Sequence, residues 1–319
     1  MDVLTLLGQL LNSTLVFSTA LIFSALGGIF SEKSGVINIG LEGLMIFGAF
    51  AAGVGTYYAQ EAGMGAWSPW IGIIAAIIVG VLGSLIHAVA AITFKADQTI
   101  SGIVINFLAA GLTVYIVKLL FNGSAETPLI HAFQKKAIPL LRDIPFIGEG
   151  VFNAYPTTYL ALILVVLAYF ILFKTPFGLR LRSVGEYPGA ADTLGVNVTR
   201  MRYIGVLISG ALAGIGGATI TLTTTSTFAH NTISGQGFIA IAAMIFGKWN
   251  PVGALGAAMF FGFSQAIRNY VQLFEWSKSI PQEFIFMIPY VLTIIVLVSA
   301  VGRSAAPSAL GTPYDPGKR

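Results

Sequence analysis

What most restricts this chain is the length of its uncharged runs. Residues 69–94 hold no Asp, Glu, Lys or Arg over 26 positions. Coiled as a helix, such a run reaches about 39 Å, more than the roughly 30 Å of bilayer hydrocarbon. Beside Pro69–Phe94 stand Ser13–Phe30, Val36–Tyr58, Thr99–Phe121, Thr157–Phe173, Tyr203–Thr223, Gly237–Gly247, Val252–Phe274 and Phe284–Val301. Only 9% of the 319 residues are charged, too few to cover a water-soluble surface. The pattern predicts an all-α, polytopic membrane protein of about eight to ten transmembrane helices, with nine favoured. Gly237–Gly247 is too short to cross alone as a straight helix, so a re-entrant reading gives eight. A helix broken at glycine gives ten.

The 37 glycines suit a close-packed bundle, because small residues let membrane helices approach backbone to backbone. Residues 1–301 read as the transmembrane domain. Residues 302–319, with three prolines and few apolar side chains, read as a disordered cytoplasmic tail. No basic residue precedes Lys33, so a signal peptide is not expected. Leu4, Leu7 and Leu11 instead suggest either a short interfacial helix or the first turns of span one.

Orientation follows from the basic residues. Lys33, Lys95, Lys174, Arg180, Arg182, Arg200, Arg202, Lys248, Arg303, Lys318 and Arg319, 11 of the 17 Lys and Arg, fall on one alternate set of connections. That set is expected in the cytoplasm, with the N-terminus outside. The long external connection Asn122–Pro156 carries four prolines and reads as an extended or hairpin cap.

Several chemistries are excluded. The absence of cysteine rules out disulfides, iron–sulfur clusters and thiolate metal sites. Gly247-Lys248 is followed by Trp249, so no phosphate-binding loop is present. His87, His131 and His230 lie on separate elements and suggest no metal centre. There is no nucleophile elbow and no carboxylate pair. The chain is not expected to be an enzyme, to hold a cofactor or to bind nucleic acid.

Two segments carry most of the functional information. In Lys174–Tyr203, Pro188 can open a helix and Gly195 can close one. Tyr187, Pro188, Gly189, Ala190, Ala191, Asp192, Thr193 and Leu194 therefore form a short, small-faced helix suited to a groove on a cytosolic partner, or else a solvated basic loop. In the second span, Glu42 sits deep in apolar sequence, where an ionised carboxylate is costly. Asn38, four residues earlier, lies on the same helical face, within hydrogen-bonding reach. The pair either faces a substrate pathway or clasps neighbouring helices. Asn106 and Gln265 could likewise line a polar pathway or bond to nearby backbone. His87 reads as a satisfied interior residue, while Lys118 and Arg268 snorkel toward the outer interface. A weak echo links the glycine-rich stretches beginning at Ser34 and Ser234, one in each half, as in a duplicated transporter.

Four stretches resemble the permease family of ABC importers for branched-chain amino acids, simple sugars and nucleosides. They are FSEKSGVINIGLEGLMIFGAF at Phe30–Phe50, RSVGEYPGAADTLGVNV at Arg182–Val198, GQGFIAIAAMIFGKWNPVGAL at Gly235–Leu255 and PQEFIFMIPYVLTIIVL at Pro281–Leu297. The resemblance is strongest to the smaller permease of bacterial nucleoside (guanosine-type) importers. It implies that Tyr187–Leu194 is the coupling helix, and that ATP and Mg²⁺ are bound by a separate cytosolic ATPase subunit. It also implies a second permease subunit, identical or paralogous, and an extracytoplasmic substrate-binding protein or lipoprotein. The implied setting is the bacterial cytoplasmic membrane, and the implied cargo a nucleoside. Asn38, Glu42, Asn106 and Gln265 remain pathway candidates on local grounds. Two other readings stay open: an ABC permease for a simple sugar, and an ion-coupled secondary transporter working through Glu42.

Overall fold

The computed structural model describes residues 3–139, 147–272 and 306–316, with positions 141, 144, 280, 281, 283, 284, 287, 291 and 294 besides. The expected last span, Phe284–Val301, and the Pro281–Leu297 stretch lie for the most part outside the described residues. Eleven described helices follow in order: α1 (Val3–Lys33), α2 (Leu41–Glu61), α3 (Ser68–Ala88), α4 (Gln98–Leu120), α5 (Ile147–Val151), α6 (Pro156–Lys174), α7 (Pro176–Glu186), α8 (Pro188–Thr193), α9 (Val198–Ile220), α10 (Gln236–Phe246) and α11 (Pro251–Val271). Single π turns, Val89–Thr93 and Thr221–Thr225, prolong α3 and α9. Five helical stretches are long and apolar enough to cross a membrane: Leu4–Lys33, Gly65–Thr93, Gln98–Leu120, Pro156–Lys174 and Val198–Thr225. The chain is an all-α, multi-pass membrane protein.

The N-terminal leucines belong to α1 itself, which runs unbroken from Val3 to Lys33. This helix threads the bundle and packs against α6, α9, α10 and α11. Its middle, from Leu21 to Ile29, is sealed from solvent. On its other side α9 lies against α2 and α3, and glycine sets those crossings. A Cβ at Gly217 would overlap the Met45 carbonyl oxygen, one at Gly48 would overlap the backbone of Gly214, and one at Gly80 that of Gly210. With no side chain between them, the backbones meet directly, and dispersion contacts replace the hydrophobic drive that lipid does not supply.

The second span differs from its expected form. Residues 36–40 are not helical, and α2 begins only at Leu41. Gly35 turns the chain at φ +90°, and other elements supply the hydrogen bonds that a helix would have made. Gln98 accepts from the Ile37 N–H at 2.7 Å, and the Ile37 carbonyl faces His87 Nε2 at 2.9 Å. Asn106 donates to the Ile39 carbonyl at 3.1 Å. Asn38 and Glu42 therefore do not share a helical face.

Two faces can be told apart by their bonds. Lys33, Lys95, Arg182, Arg202 and Trp249 cluster at one end, the basic face, through contacts among the ends of α1, α7 and α9 and the turn after α10. The opposite face, which the bias of basic residues assigns to the outside, joins Gln60 to His131, Asn12 to Gly150 and Thr127 to Phe228. There the long connection forms a two-residue antiparallel ladder, Lys136–Ala137 with Asn153–Ala154. It also runs beside the segment after α9, with Thr127 N–H donating to the Phe228 carbonyl at 3.0 Å.

The expectation of a disordered tail does not hold for 306–316. The Ala309 N–H donates to the Gly185 carbonyl (2.9 Å) and the Gly311 N–H to the Gly35 carbonyl (3.1 Å). Ser308 donates to Glu186, Lys95 pairs with Asp315 at 3.2 Å, and Arg202, 2% exposed, donates to the Thr312 carbonyl at 2.9 Å. A buried guanidinium needs acceptors, and the tail brings one where proline content alone suggested none.

Replacing Gly217 or Gly48 with valine is expected to abolish a monodisperse peak on detergent gel filtration. Gly111→Ala and Gly256→Ala, where an added Cβ meets nothing within 4 Å, are expected to elute unchanged.

Candidate functional site

The segment between α9 and α10, residues 226–235, descends from the outer face without helical structure and turns at Ser234 and Gly235, both with positive φ. The half-length helix α10 then runs from Gln236 to Phe246, about 16 Å. It ends near the basic face, where Trp249 Nε1 donates to Glu32 Oε2 at 2.6 Å. This is the short stretch expected at Gly237–Gly247, and it begins inside the bundle.

Glu42, in the first turn of α2, meets it there. The Gly235 N–H donates to Glu42 Oε1 at 2.5 Å and the Gly237 N–H to Oε2 at 2.8 Å. A Cβ at Gly237 would lie 2.7 Å from the Glu42 backbone nitrogen, so the two helix N-termini sit head to head. Each N-terminus carries roughly half a positive charge and unsatisfied N–H groups. One carboxylate between them offsets both. Of the two readings of Glu42, this geometry is the clasp.

Asn106 completes the node. Its Oδ1 accepts from the Gly43 N–H at 2.7 Å while its Nδ2 holds the Ile39 carbonyl, so its bonds go to backbone. Asn38, buried, donates to Ser209 Oγ at 2.9 Å and ties the broken segment to α9. His87, also buried, meets Ser101 Oγ and the Ile37 carbonyl, each at 2.9 Å.

Gln265 lies elsewhere. It donates to Gln236 Oε1 at 3.3 Å, and both amides line a cavity of about 180 Å³. Thr219, Thr223, Thr224, Thr225, Thr232 and Arg268 share its wall with Val16, Phe17, Ala20 and Ile220. Arg268 thus lines this cavity, where the sequence suggested an interfacial position. The cavity floor is the first residue of α10, one position from the Glu42 bond. Sequence reasoning found Gln265 but missed the threonines. Their signal was the run Thr221–Thr225, interrupted only by Leu222.

On the basic face, α7 is capped by Thr175, whose Oγ1 accepts from the Gly178 N–H at 3.2 Å. It leads through Tyr187 into α8, a six-residue helix with Pro188 at its first position. Gly195, at φ +80°, closes it: the Val196 N–H donates to the Ala191 carbonyl at 3.0 Å and the Gly195 N–H to the Asp192 carbonyl at 2.9 Å. Ala191 turns inward, 3% exposed, while Gly189, Ala190, Asp192 and Thr193 face solvent. Tyr187 at 72% and Leu194 at 84% exposure flank them. The Ala-Ala pair is therefore split, with Ala191 in the core and Ala190 on the exposed face.

Comparison with known proteins adds a consistent picture. Residues 10–297 match the family model described as branched-chain amino acid transport system / permease component. The chain is 53% identical to the guanosine ABC transporter permease protein NupQ of Bacillus subtilis over the full length of both. It is 43% identical to the nucleoside ABC transporter permease protein NupC of Lactococcus lactis over 98% of this chain and 99% of that one. It is also 32% identical to the putative glucose ABC transporter permease protein TsgC13 of Haloferax volcanii, over 96% of this chain and 97% of that one.

Glu42→Leu leaves two backbone donors buried and unpaired, at about 1–3 kcal/mol each. The expected result is a lowered melting temperature in detergent, with Glu42→Gln, which keeps one acceptor oxygen, falling between Glu42→Leu and the parent. An unchanged melt for Glu42→Leu would show that the carboxylate holds nothing.

Proposed function

This chain belongs to the branched-chain amino acid transport system / permease component family, and from that premise we propose that it imports nucleosides across the bacterial cytoplasmic membrane as one permease subunit of an ATP-driven transporter. The observation that carries the cargo assignment is the threonine- and glutamine-lined cavity between α1, α9, α11 and the start of α10. Nucleosides carry many donors and acceptors, and the hydroxyls and amides here, with Arg268 beside them, match those groups. Full-length identity to guanosine and nucleoside permeases supports the same choice.

The proposed partners follow from what the chain lacks and exposes. A cytosolic ATPase binds ATP and Mg²⁺ and receives the foot Tyr187–Leu194. A second permease subunit, copy or paralogue, completes the pathway. An extracytoplasmic binding protein delivers cargo at the outer face, where the connections 122–156 and 226–235 meet. Movement of the foot then bears on α10, the half-helix between the cavity and the basic face, and the cavity opens alternately to each side. Asn38, Asn106 and Glu42 act in this scheme as the frame that holds α10, and Gln265 as a cargo contact.

A sugar reading is favoured by one observation, the 32% identity with a putative glucose permease, and hydroxyl-rich cargo would suit the same cavity. The ion-coupled reading fits less well, because both Glu42 oxygens already accept backbone hydrogen bonds.

The complex, co-expressed with its ATPase and binding protein and reconstituted in vesicles, is expected to accumulate a labelled nucleoside only with ATP. Accumulation should persist in the presence of a proton uncoupler while ATP is held constant. Gln265→Leu or Gln236→Leu should raise KM about three- to tenfold per lost hydrogen bond without changing assembly. Ala190→Glu should prevent co-purification of the ATPase. Transport of glucose in preference to nucleosides would overturn the cargo assignment, and uptake without ATP would overturn the class.

A further inference from the structure

A second cavity, of about 670 Å³, lies between α1, α6 and α9. Its wall is Leu26 and Phe30 of α1, Leu164 to Ile171 of α6 and Ile204 to Leu212 of α9, with Thr175 and Phe177 at its inner end. It is an almost wholly apolar groove that shares no lining residue with the polar cavity. Along α6 it runs from Leu164 to Thr175, about 16 Å at helical rise. That is close to half the roughly 30 Å hydrocarbon thickness, the depth of one leaflet. Its inner end opens where the basic face begins.

Three cations belong to the helices that end there, Lys33 in the last turn of α1, Lys174 in the last turn of α6 and Arg182 in α7. Lys174 immediately precedes Thr175 and is exposed. Arg182 Nε donates to the Leu172 carbonyl at 3.0 Å and its guanidinium lies 4.9 Å from the centre of the Phe173 ring. Lys33 lies one turn beyond Phe30, on the same side of α1. Glu186 lies near Lys33 and accepts a hydrogen bond from Ser308 of the tail, so the net charge of the group is positive.

We propose that this groove binds one anionic phospholipid of the inner leaflet, an acyl chain lying along α6 and the phosphate headgroup meeting Lys174, Arg182 and Lys33. An apolar slot of leaflet depth matches the chain, and a cationic mouth matches an anionic head. Because α6 leads directly through Thr175 into α7 and the foot, the lipid would brace the root of the coupling arm. The site is independent of which cargo the protein carries.

Native mass spectrometry of the purified chain, titrated with phosphatidylglycerol or phosphatidylcholine of identical acyl chains, tests this. Phosphatidylglycerol is expected to bind at least tenfold more tightly, given about fivefold per basic residue near the surface. Lys33→Gln combined with Arg182→Gln should make the two lipids equal. Ala211→Phe, which fills the groove wall and leaves the cations in place, should remove binding of both. Thermal unfolding of each variant in detergent shows that it remains folded. Equal affinity of the parent protein for the two lipids would overturn the proposal, as would retention of phosphatidylglycerol by Ala211→Phe. Competition by inorganic phosphate alone, at concentrations comparable to the lipid, would point to a headgroup-only anion site and overturn it too.

Discussion

In hydrocarbon no water is available to satisfy a backbone N–H or C=O, and each one left bare costs several kcal/mol. Two stretches of this chain give up helical structure inside the bundle, residues 36–40 and 226–235. Both exist only because other groups take over their hydrogen bonds. Gln98, His87 and Asn106 do so for the first. For the second, Thr127 exchanges two hydrogen bonds with Phe228, and Glu42 receives the entry to α10. The polar residues within the spans are thus largely committed to backbone. The cavity beside Gln265 is one place where side-chain polarity faces open space.

The two broken segments also give the weak sequence echo between Ser34 and Ser234 a physical form. α1 arrives at the basic face, the chain bends, and α2 leaves for the outer face. α9 arrives at the outer face, the chain bends, and α10 leaves for the basic face. The halves are opposite in direction, so their new helices start at the same depth with N-termini opposed. Opposed positive ends repel, and a single carboxylate between them is the economical remedy. That explains why the acidic residue belongs to one half only.

Much of this was legible in the sequence and some of it was not, for reasons that can be named. Apolar runs of membrane length identify spans because the bilayer imposes a length, so α3, α4 and α6 lie where the runs are. The short helix α8 was legible because proline fixes φ at its start and glycine tolerates the left-handed φ at its end. Glu42 and Gln265 stood out because polar groups in lipid are costly. The start of α2 was misplaced because SGVINIGLEG is apolar enough to be a helix, and only the partners at Gln98, His87 and Asn106 make the extended form affordable. The ordered tail was missed because its anchor, Arg202, lies in α9 more than a hundred residues away, and a cation near a span end reads as interfacial until its burial is seen. The inward turn of Ala191 depends on helix phase relative to the core, which a six-residue helix does not encode.

The unequal strength of the bonds on the basic face bears on how the foot could move. Lys95–Asp315 is some 40% exposed on both sides, and such pairs contribute at most about 1 kcal/mol. The Ser308 bond to Glu186 is exposed as well. By contrast, the Glu32–Trp249 bond is buried, so breaking it strands a polar group at about 1–3 kcal/mol, and it joins the ends of α1 and α10. A force on α8 would therefore loosen the tail from α7 before it separated α10 from α1. Gly185, against the Lys33 carbonyl and the Gly35 nitrogen, lets α7 lie directly on the bend that precedes α2. On the proposed reading, displacement of the foot reaches Glu42 through that bend, a path of backbone contacts without intervening flexible side chains to absorb the motion.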